Sequence, residues 1–569
     1  MEFNEKDSGS ASDKNSLEKG IRGDATVQAA VVENASFHFD AADLDRVQRR
    51  LKQRHVQMIA VSTNILMLFL PDQQIAGTLG TGLFLGSGKA LQGAGPLGSL
   101  LAYAFLGSIA YASLCSIGEM AAHAPISGTY PHYAARWVDP ALGFAVGWNS
   151  FYSGAITVPS EITAAQILLT FWDDKESHTP IYTAVICIGV CMINIFGVRW
   201  FGESEFCFSI IKILLITGLI ITGLIVDLGG GPDHERIGFR YWKSPGAMAR
   251  SDLVSSDKVD LGRFLGLLSV LIQAAFSLQG MELVAVAASE TESPRRNIGK
   301  AVRRVFYRIL VFYILGIFIT GLLVPFDDPN LLSNTGNAAQ SPYVIAFTRA
   351  GIKVLPSIIN AGIFTSAFSA GNSFLFSSSR ILYGLSIRGQ APRIFAYCTK
   401  AGLPIVAVAF TSCFAFLSFM NTSNSSEQVF TWFVNLTTVA GLFTWFTINV
   451  TFLFFYRGKK AQGFDRTKSA YYSSLQPYLS IWGAFWCVVI ILINGFAVFF
   501  DFNASDFLVA YINIPIFIGL YIFWKIFRRT SIWKPHDMDF ITGIPTVEET
   551  EIPEEPPRTV WQKIAAVLF

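Results

Sequence analysis

Charge is what this sequence has least of. Asp, Glu, Lys and Arg together make up 15% of 569 residues, while 52% are hydrophobic; soluble domains carry about 25% charged residues. That balance places the chain in the membrane class before any motif is read. The net charge of +2 favours neither sign, so no nucleic-acid partner is implied. Cysteine is also sparse. Cys115, Cys187, Cys191, Cys207, Cys398, Cys413 and Cys487 lie mostly within apolar runs, and Cys187 and Cys191 have no histidine near them in sequence. Metal sites need convergent Cys/His spacing, so these read as small apolar fillers. There is no P-loop for a nucleotide-driven pump, no HExxH and no GxSxG, hence no enzyme signature and no cofactor. No cleavable signal peptide is visible. Residues 1–55 are polar and mixed in charge, as in a disordered tail. Lys6, Lys14 and Lys19 in that tail are candidate acceptors for ubiquitin ligase machinery, although a solvated tail alone also explains them.

About 20 apolar residues cross a bilayer. Twelve segments meet that test: 57–90, 96–119, 141–170, 180–198, 205–227, 264–288, 304–325, 354–384, 403–420, 429–456, 480–500 and 508–527. The expected domain is therefore a transmembrane unit over 56–528, followed by a C-terminal tail over 529–569. Lys and Arg near the span ends set the orientation. They cluster before the first span (Arg46, Arg49, Arg50, Lys52, Arg54) and after the sixth, eighth, tenth and twelfth. The opposite loops carry Asp173, Asp174, Asp327, Asp328, Glu427 and Asp501. Both termini are thus expected in the cytoplasm. Asn421 and Asn424 fall in N-x-[ST] sequons on the outer side, in a short loop.

Residues 61–74, VSTNILMLFLPDQQ, stretch the first span beyond 30 residues. Without them, RHVQMIA joins IAGTLGTGLFLGSG without a seam. Val-Ser is encodable by GTAAGT, a strong splice-donor sequence, and Gln by CAG, a common acceptor end. The segment reads as an intron retained in the gene product, the alternative being a genuine insertion that bulges Pro71 and Asp72 out of the helix entry.

The stretch that follows, Ile75 to Gln92, is crowded with glycine: Gly77, Gly80, Gly82, Gly86 and Gly88. Backbone groups cannot face lipid unpaired, where each costs several kcal/mol. A Gly/Thr-rich break belongs where it meets protein, a water-filled cavity or a ligand. Five spans later a second interruption appears, with Gly280 between Gln279 and Glu282. Matched interruptions in two halves point to an inverted-repeat transporter with its site near the bilayer midplane. Half-helix N-termini suit an anionic group and unwound carbonyls a cationic one, so a zwitterion such as an amino acid fits two such breaks. The alternative is that the glycines only permit close helix packing.

Four stretches resemble those of fungal amino-acid permeases of the amino acid–polyamine–organocation superfamily: GTLGTGLFLGSG, SIGEMAAHAPISGTYPHYAARWVDPALGFAVGWN, FSLQGMELVAVAASETESPRRNIGKAV and TSAFSAGNSFLFSSSRILYGLSIRGQAP. They occur in order across most of residues 55–460. The resemblance implies an all-α membrane protein of twelve transmembrane helices, the first ten forming a leucine-transporter-like 5+5 inverted repeat with two extra helices. It implies proton-coupled import of amino acids across the plasma membrane, with the amino acid, protons and the lipid bilayer as partners. By the same resemblance, Ala76, Gly77, Thr78, Gly80, Thr81 and Gly82 form the first break. Their N–H groups and the Thr81 hydroxyl would hold the substrate carboxylate, and carbonyls around Phe276, Ser277, Gln279 and Gly280 would meet the ammonium.

Ionisable residues inside a membrane are functional candidates, since a charge at its centre costs about 3 kcal/mol or more. Glu119 ends the second span, where ordering beside His123 or Arg136 competes with proton transfer. Glu161 lies deep in the third span, where the resemblance implies a path-lining acid that contacts substrate or couples protons. Lys212 lies in the fifth, where the resemblance implies a lysine in the place of a sodium ion. A buried lysine can load and release a proton, or act as a fixed cation at a half-helix end. Glu282 is a further pathway candidate, with structural pairing inside the sixth span as its alternative. In the eighth span, Thr365, Ser366, Ser369, Ser373, Ser377, Ser378 and Ser379 are expected mostly to bond back to their own helix. Trp432, Phe433 and Trp445 read as lipid or packing aromatics, and Phe276 is the better gate candidate. The expected function is therefore amino-acid import by proton symport with alternating access. The rivals are an exchanger or a polyamine/choline carrier on the same fold, and a permease-like nutrient receptor.

Overall fold

The computed structural model describes residues 81–126, 129–173, 175–195, 198–232, 234–255, 257–282, 294–332, 341–399, 402–422 and 425–547. The N-terminal tail with Lys6, Lys14 and Lys19, the segment 61–74, Ala76, Gly77, Thr78, Gly80, Asn424 and the chain beyond 547 lie outside the described residues.

All regular structure among the described residues is helical. A short helix α1 (Thr81–Phe84) runs through Leu85 into α2 (Gly86–His123), which is itself broken at Gly95, where φ is +74°. Gly95 precedes Pro96, and left-handed backbone followed by proline ends one helix and starts the next. The loop between α6 and α7 seals this joint: Ala249 N–H donates to Ala94 O at 3.0 Å and Leu97 N–H to Ala247 O at 2.8 Å. A Cβ at Gly95 would sit 2.9 Å from the Met248 Cα, so only glycine fits.

The chain continues through α3 (Thr129–Trp137), α4 (Pro140–Leu169), α5 (Thr179–Ile195), α6 (Val198–Asp227), α7 (Val259–Leu278) and α8 (Pro294–Leu323). Next come α9 (Pro342–Arg349), α10 (Leu355–Ile387), α11 (Ile405–Ala415), α12 (Ser426–Ala461), α13 (Tyr478–Ile493) and the bent pair α14 (Ala504–Tyr511) and α15 (Asn513–Arg528). Local sequence sets several starts. Asp139 caps α4 by accepting from Ala141 N–H, with Pro140 in the first turn, and Ser425 caps α12 by accepting from Gln428 N–H.

Among the described residues seven helices are long and apolar enough to cross a bilayer, and α14–α15, bent by 42°, makes up to eight. Helices α4 and α10, of 30 and 33 residues, are long enough to cross but less apolar than those seven. The cause is their buried polar content: Asn149, Ser150, Thr157, Glu161 and Gln166 on α4, and Asn360, Ser366, Ser369 and Asn372 on α10.

Those two helices pack antiparallel through a seven-residue interlock. A Cβ at Gly147 would lie 2.6 Å from Leu385 Cδ2, one at Gly154 would overlap Ser378 Oγ, and one at Gly371 would touch Glu161 Cβ at 3.4 Å. Small residues let the backbones approach in this way. The end of the first span packs antiparallel on α7 by the same device. A Cβ at Gly86 would overlap Gln273 Nε2, and one at Gly93 would lie 3.2 Å from Val270 Cγ2.

One end of the bundle gathers the basic loops and the segment after α15. Arg136 pairs with Asp539 at 2.9 Å, Lys525 with Asp139, and Arg466 with Glu119 at 2.9 Å. Residues 530–547 are docked here rather than trailing free. Trp533 donates from both its backbone and its indole N–H, to Val138 O and Ala135 O, each at 2.9 Å. Met538 and Phe540 are buried in the main core. At the opposite end Asn421 is 7% exposed and its Nδ2 donates to Thr183 Oγ1 at 3.0 Å, which removes this sequon nitrogen from the surface.

Candidate functional site

The segment that begins at Thr81 meets the end of α7. Helix α7 ends at Leu278; Gln279 is extended and Gly280 has φ +87°, a conformation that favours glycine. Opposite it lies Gly82, where a Cβ would come within 2.7 Å of Ser277 Cα and 2.9 Å of Ser277 Oγ. Gly82 therefore serves close packing of its segment on the end of α7, one turn before that chain changes course at Gly280. Ser277 is fixed from two sides: its hydroxyl donates to Gln273 O at 2.9 Å and meets Tyr103 Oη at 2.9 Å.

Thr81, fully buried beside Gly82, donates its hydroxyl to Glu161 of α4, at 3.1 Å to Oε1 and 3.0 Å to Oε2. In this structure the Thr81 proton is thus committed to a carboxylate of the protein itself. Glu161 is 3% exposed and interacts electrostatically with Lys212 of α6, which is 1% exposed. The structure so brings together Thr81, Gly82, Ser277, Glu161 and Lys212 from four separate segments.

The second break is tied to α12. Gln279 Nε2 donates to Thr437 O at 3.2 Å and Thr438 O at 3.0 Å, in a space that exists because residue 441 is glycine. Asn149 of α4 donates to Ala440 O at 2.7 Å, so α12 carbonyls join α4 to the broken end of α7. Phe276 is 7% exposed and sits with Ala164, Ile167, Phe430 and Val434 in an apolar cluster flanked by Leu85. Its ring meets Phe430 edge-on at 6.3 Å. This apolar cluster is contributed by α4, α7 and α12.

Other expected residues lie elsewhere or pair differently. Glu119 is remote from the breaks. Its carboxylate is held by Arg466 through two N–H···O contacts, Nε to Oε1 at 2.9 Å and Nη2 to Oε2 at 3.1 Å, not by His123 or Arg136. A planar guanidinium matches a carboxylate in this bidentate way. Glu282 accepts from Trp445 Nε1 of α12 at 3.0 Å, and backbone groups at Gly280 and Glu282 in its own segment also hydrogen-bond to it. Trp445, 1% exposed, is a packing residue with a hydrogen bond and does not face lipid. Trp432 donates to Asp506 of α14 at 3.2 Å, tying α12 to the last pair. On α10, Thr365, Ser377, Ser378 and Ser379 bond back to their own helix. Ser369 departs from that pattern and donates to Glu205 Oε1 at 2.9 Å.

Glu205 is a buried carboxylate that sequence reading missed. The fifth span was expected to begin at residue 205, which put this side chain at a membrane surface. Helix α6 begins at Val198 instead and leaves Glu205 two turns inside it. The available signal was its seven-residue spacing from Lys212, which places both on one helix face.

The chain matches a family model described as "Amino acid permease" over residues 73–536. It is 38% identical over 504 residues to a dicarboxylic amino acid permease of Saccharomyces cerevisiae, covering 87% of this chain and 80% of that one. It is 37% identical over 547 residues to a basic amino-acid permease of the same organism, covering 95% and 92%. A probable proline-specific permease of Schizosaccharomyces pombe is 41% identical over 500 residues, covering 86% and 90%.

Proposed function

The chain belongs to the amino acid permease family, and from that premise we propose that it imports amino acids with protons across the plasma membrane by alternating access. It is a multi-pass membrane transporter rather than an enzyme. The observation that carries the coupled mechanism is the Thr81–Glu161 contact beside the close approach of Gly82 to the end of α7, with Lys212 acting on the same carboxylate. A titratable group bonded to a broken span lies where substrate and proton can sense each other.

The site we propose is completed by backbone. N–H groups over Ala76, Gly77, Thr78, Gly80, Thr81 and Gly82 face the substrate carboxylate, and carbonyls at Phe276, Ser277, Gln279 and Gly280 face its ammonium. Phe276 closes the site from one side, and Glu282 holds the second break against Trp445.

The twelve-span architecture with a 5+5 inverted repeat and two extra helices is part of the same proposal. It is supported by two antiparallel pairings between segments five spans apart: the first span on α7, and α4 on α10. In an inverted repeat, equivalent helices run in opposite directions. The basic loops and residues 530–547 share one end of the bundle, and we assign that end, with both termini, to the cytoplasm. Residues 61–74 are read as a retained intron; a spliced message that keeps all 42 nucleotides overturns that reading.

The test is uptake of labelled amino acids into a cell lacking its own permeases, with and without a protonophore. Uptake abolished by collapsing the proton gradient supports symport; uptake that ignores the gradient contradicts it. A panel of unlabelled competitors in the same assay ranks the side chains carried.

A further inference from the structure

Glu205 stands outside the site as drawn so far, and its surroundings are unusual. Its side chain is 3% exposed, and while Oε1 accepts from Ser369 Oγ at 2.9 Å, Oε2 has no hydrogen-bond partner among the described residues. Ser373 and Asn372 of α10 also face it. Asn372 is held in turn by Asn194 of α5, whose Nδ2 donates to Asn372 Oδ1 at 2.7 Å. On its own helix, Lys212 lies seven residues on, about 10 Å along the axis. Lys212 acts electrostatically on Glu205 and on Glu161 alike, and among the described residues it is the cation that acts on either carboxylate.

Helix α10 bridges the two acids. Gly371 packs against Glu161 Cβ, and two residues earlier Ser369 binds Glu205. The order of interactions is thus Thr81, Glu161, Lys212, Glu205, Ser369, hydrogen-bonded at its two ends and electrostatic about Lys212, running from the first span into the seam of α6 and α10. With all three groups ionised this cluster carries a net charge of −1 in the protein interior. Burying an unbalanced charge costs several kcal/mol even after relaxation. Two carboxylates around one cation remove that cost by holding one added proton between them.

We infer that Glu205 is a proton-coupling residue, the station on the far side of Lys212 from the broken span, and that the Glu161–Lys212–Glu205 cluster carries one exchangeable proton. The inference rests on the symport reading above. In the transfer, Lys212 gives a proton from its ammonium to the Glu161 carboxylate and takes one from the Glu205 carboxylic acid. One O–H bond breaks at Glu205, one forms at Glu161, the ammonium is restored, and the cluster charge is unchanged. Glu205 acts through Lys212 and touches no substrate.

The test uses the purified full chain in proteoliposomes and the variant Glu205→Gln, which keeps size and hydrogen-bonding capacity but cannot carry the proton. Two readouts are compared: accumulation driven by an imposed pH gradient, and exchange of labelled for unlabelled amino acid with no gradient. For one proton per substrate, a gradient of about one pH unit drives accumulation up to about tenfold. The variant is expected to stop at equilibration while exchange persists, and Glu205→Asp is expected to restore accumulation. Gradient-driven accumulation by Glu205→Gln at the wild-type level and with the wild-type pH profile overturns the inference alone. Parallel loss of exchange and accumulation in a folded, monodisperse variant assigns Glu205 a structural role and also overturns it. Wild-type accumulation that ignores the gradient removes the symport reading, and this inference with it. Should Glu205→Gln not fold, Ser369→Ala leaves the carboxyl in place and removes its donor. A shifted pH midpoint of accumulation is then expected, and an unshifted one overturns the inference.

Discussion

Replacing Thr81 with valine isolates one hydroxyl beside the close approach of Gly82 to the end of α7. Valine keeps the branched shape, so Gly82 can still pack on Ser277. What is lost is the single proton shared between the Glu161 oxygens at 3.1 and 3.0 Å. A hydrogen bond to a charged acceptor contributes about 1.5–3 kcal/mol, and about 1.4 kcal/mol is a factor of ten. Thr81→Val should therefore lower the initial uptake rate by about ten- to a hundredfold. Thr81→Ser keeps the donor and gives up one methyl, about 0.8 kcal/mol of burial, so it should lose only a few-fold. The assay is initial uptake across a pH series for wild type, Thr81→Val, Thr81→Ser, Glu161→Gln and the Thr81→Val/Glu161→Gln double variant. If Thr81 acts through Glu161, the double variant is no worse than Glu161→Gln alone. Full additivity, or Thr81→Val within twofold of wild type, would refute the reasoning.

Three further outcomes follow from the packing. Gly441→Ala places a Cβ on Gln279 Nε2 and should displace that side chain from Thr437 O and Thr438 O, a loss of about 2 kcal/mol at about 1 kcal/mol per bond. It should match Gln279→Ala in uptake and not add to it. Arg466→Ala leaves Glu119, 0% exposed, without its bidentate partner. Breaking a buried pair costs about 3–5 kcal/mol, and the detergent-solubilised protein should melt earlier, with Arg466→Lys intermediate. Phe540→Ala should cost about 3–5 kcal/mol, as for other buried aromatics, and truncation after Thr530 should lower the melting temperature further. A tail that only trails from the bundle would give no change in either variant.

What the sequence disclosed and what it withheld divide along sequence distance. The start of the third span near residue 141, the hydroxyls of the eighth span and the second break at Gly280 are set by neighbouring residues and were legible. The glycine cluster was legible as an anomaly, yet its packing partners Ser277, Gln273 and Val270 come from a span far along the chain. Of the two uses foreseen for glycine, a break and a close approach, Gly82 shows the close approach. Glu119 was recognised, but its partner Arg466 is 347 residues away in a loop, so nearer basic residues were preferred. Glu205 was lost to a span boundary placed seven residues late. The docking of residues 530–547 was hidden by a mostly polar composition, in which Trp533, Met538 and Phe540 are the apolar signal. These apolar contacts form only once α3 and α12 are assembled beside them.

The central claim, proton-coupled import of amino acids, is tested most directly by recording labelled uptake and external pH together in permease-deficient cells expressing the chain without residues 61–74. The account predicts that adding a transported amino acid makes a weakly buffered medium more alkaline in step with uptake, and that a protonophore abolishes both signals. Uptake that proceeds with no alkalinisation and survives the protonophore would contradict it.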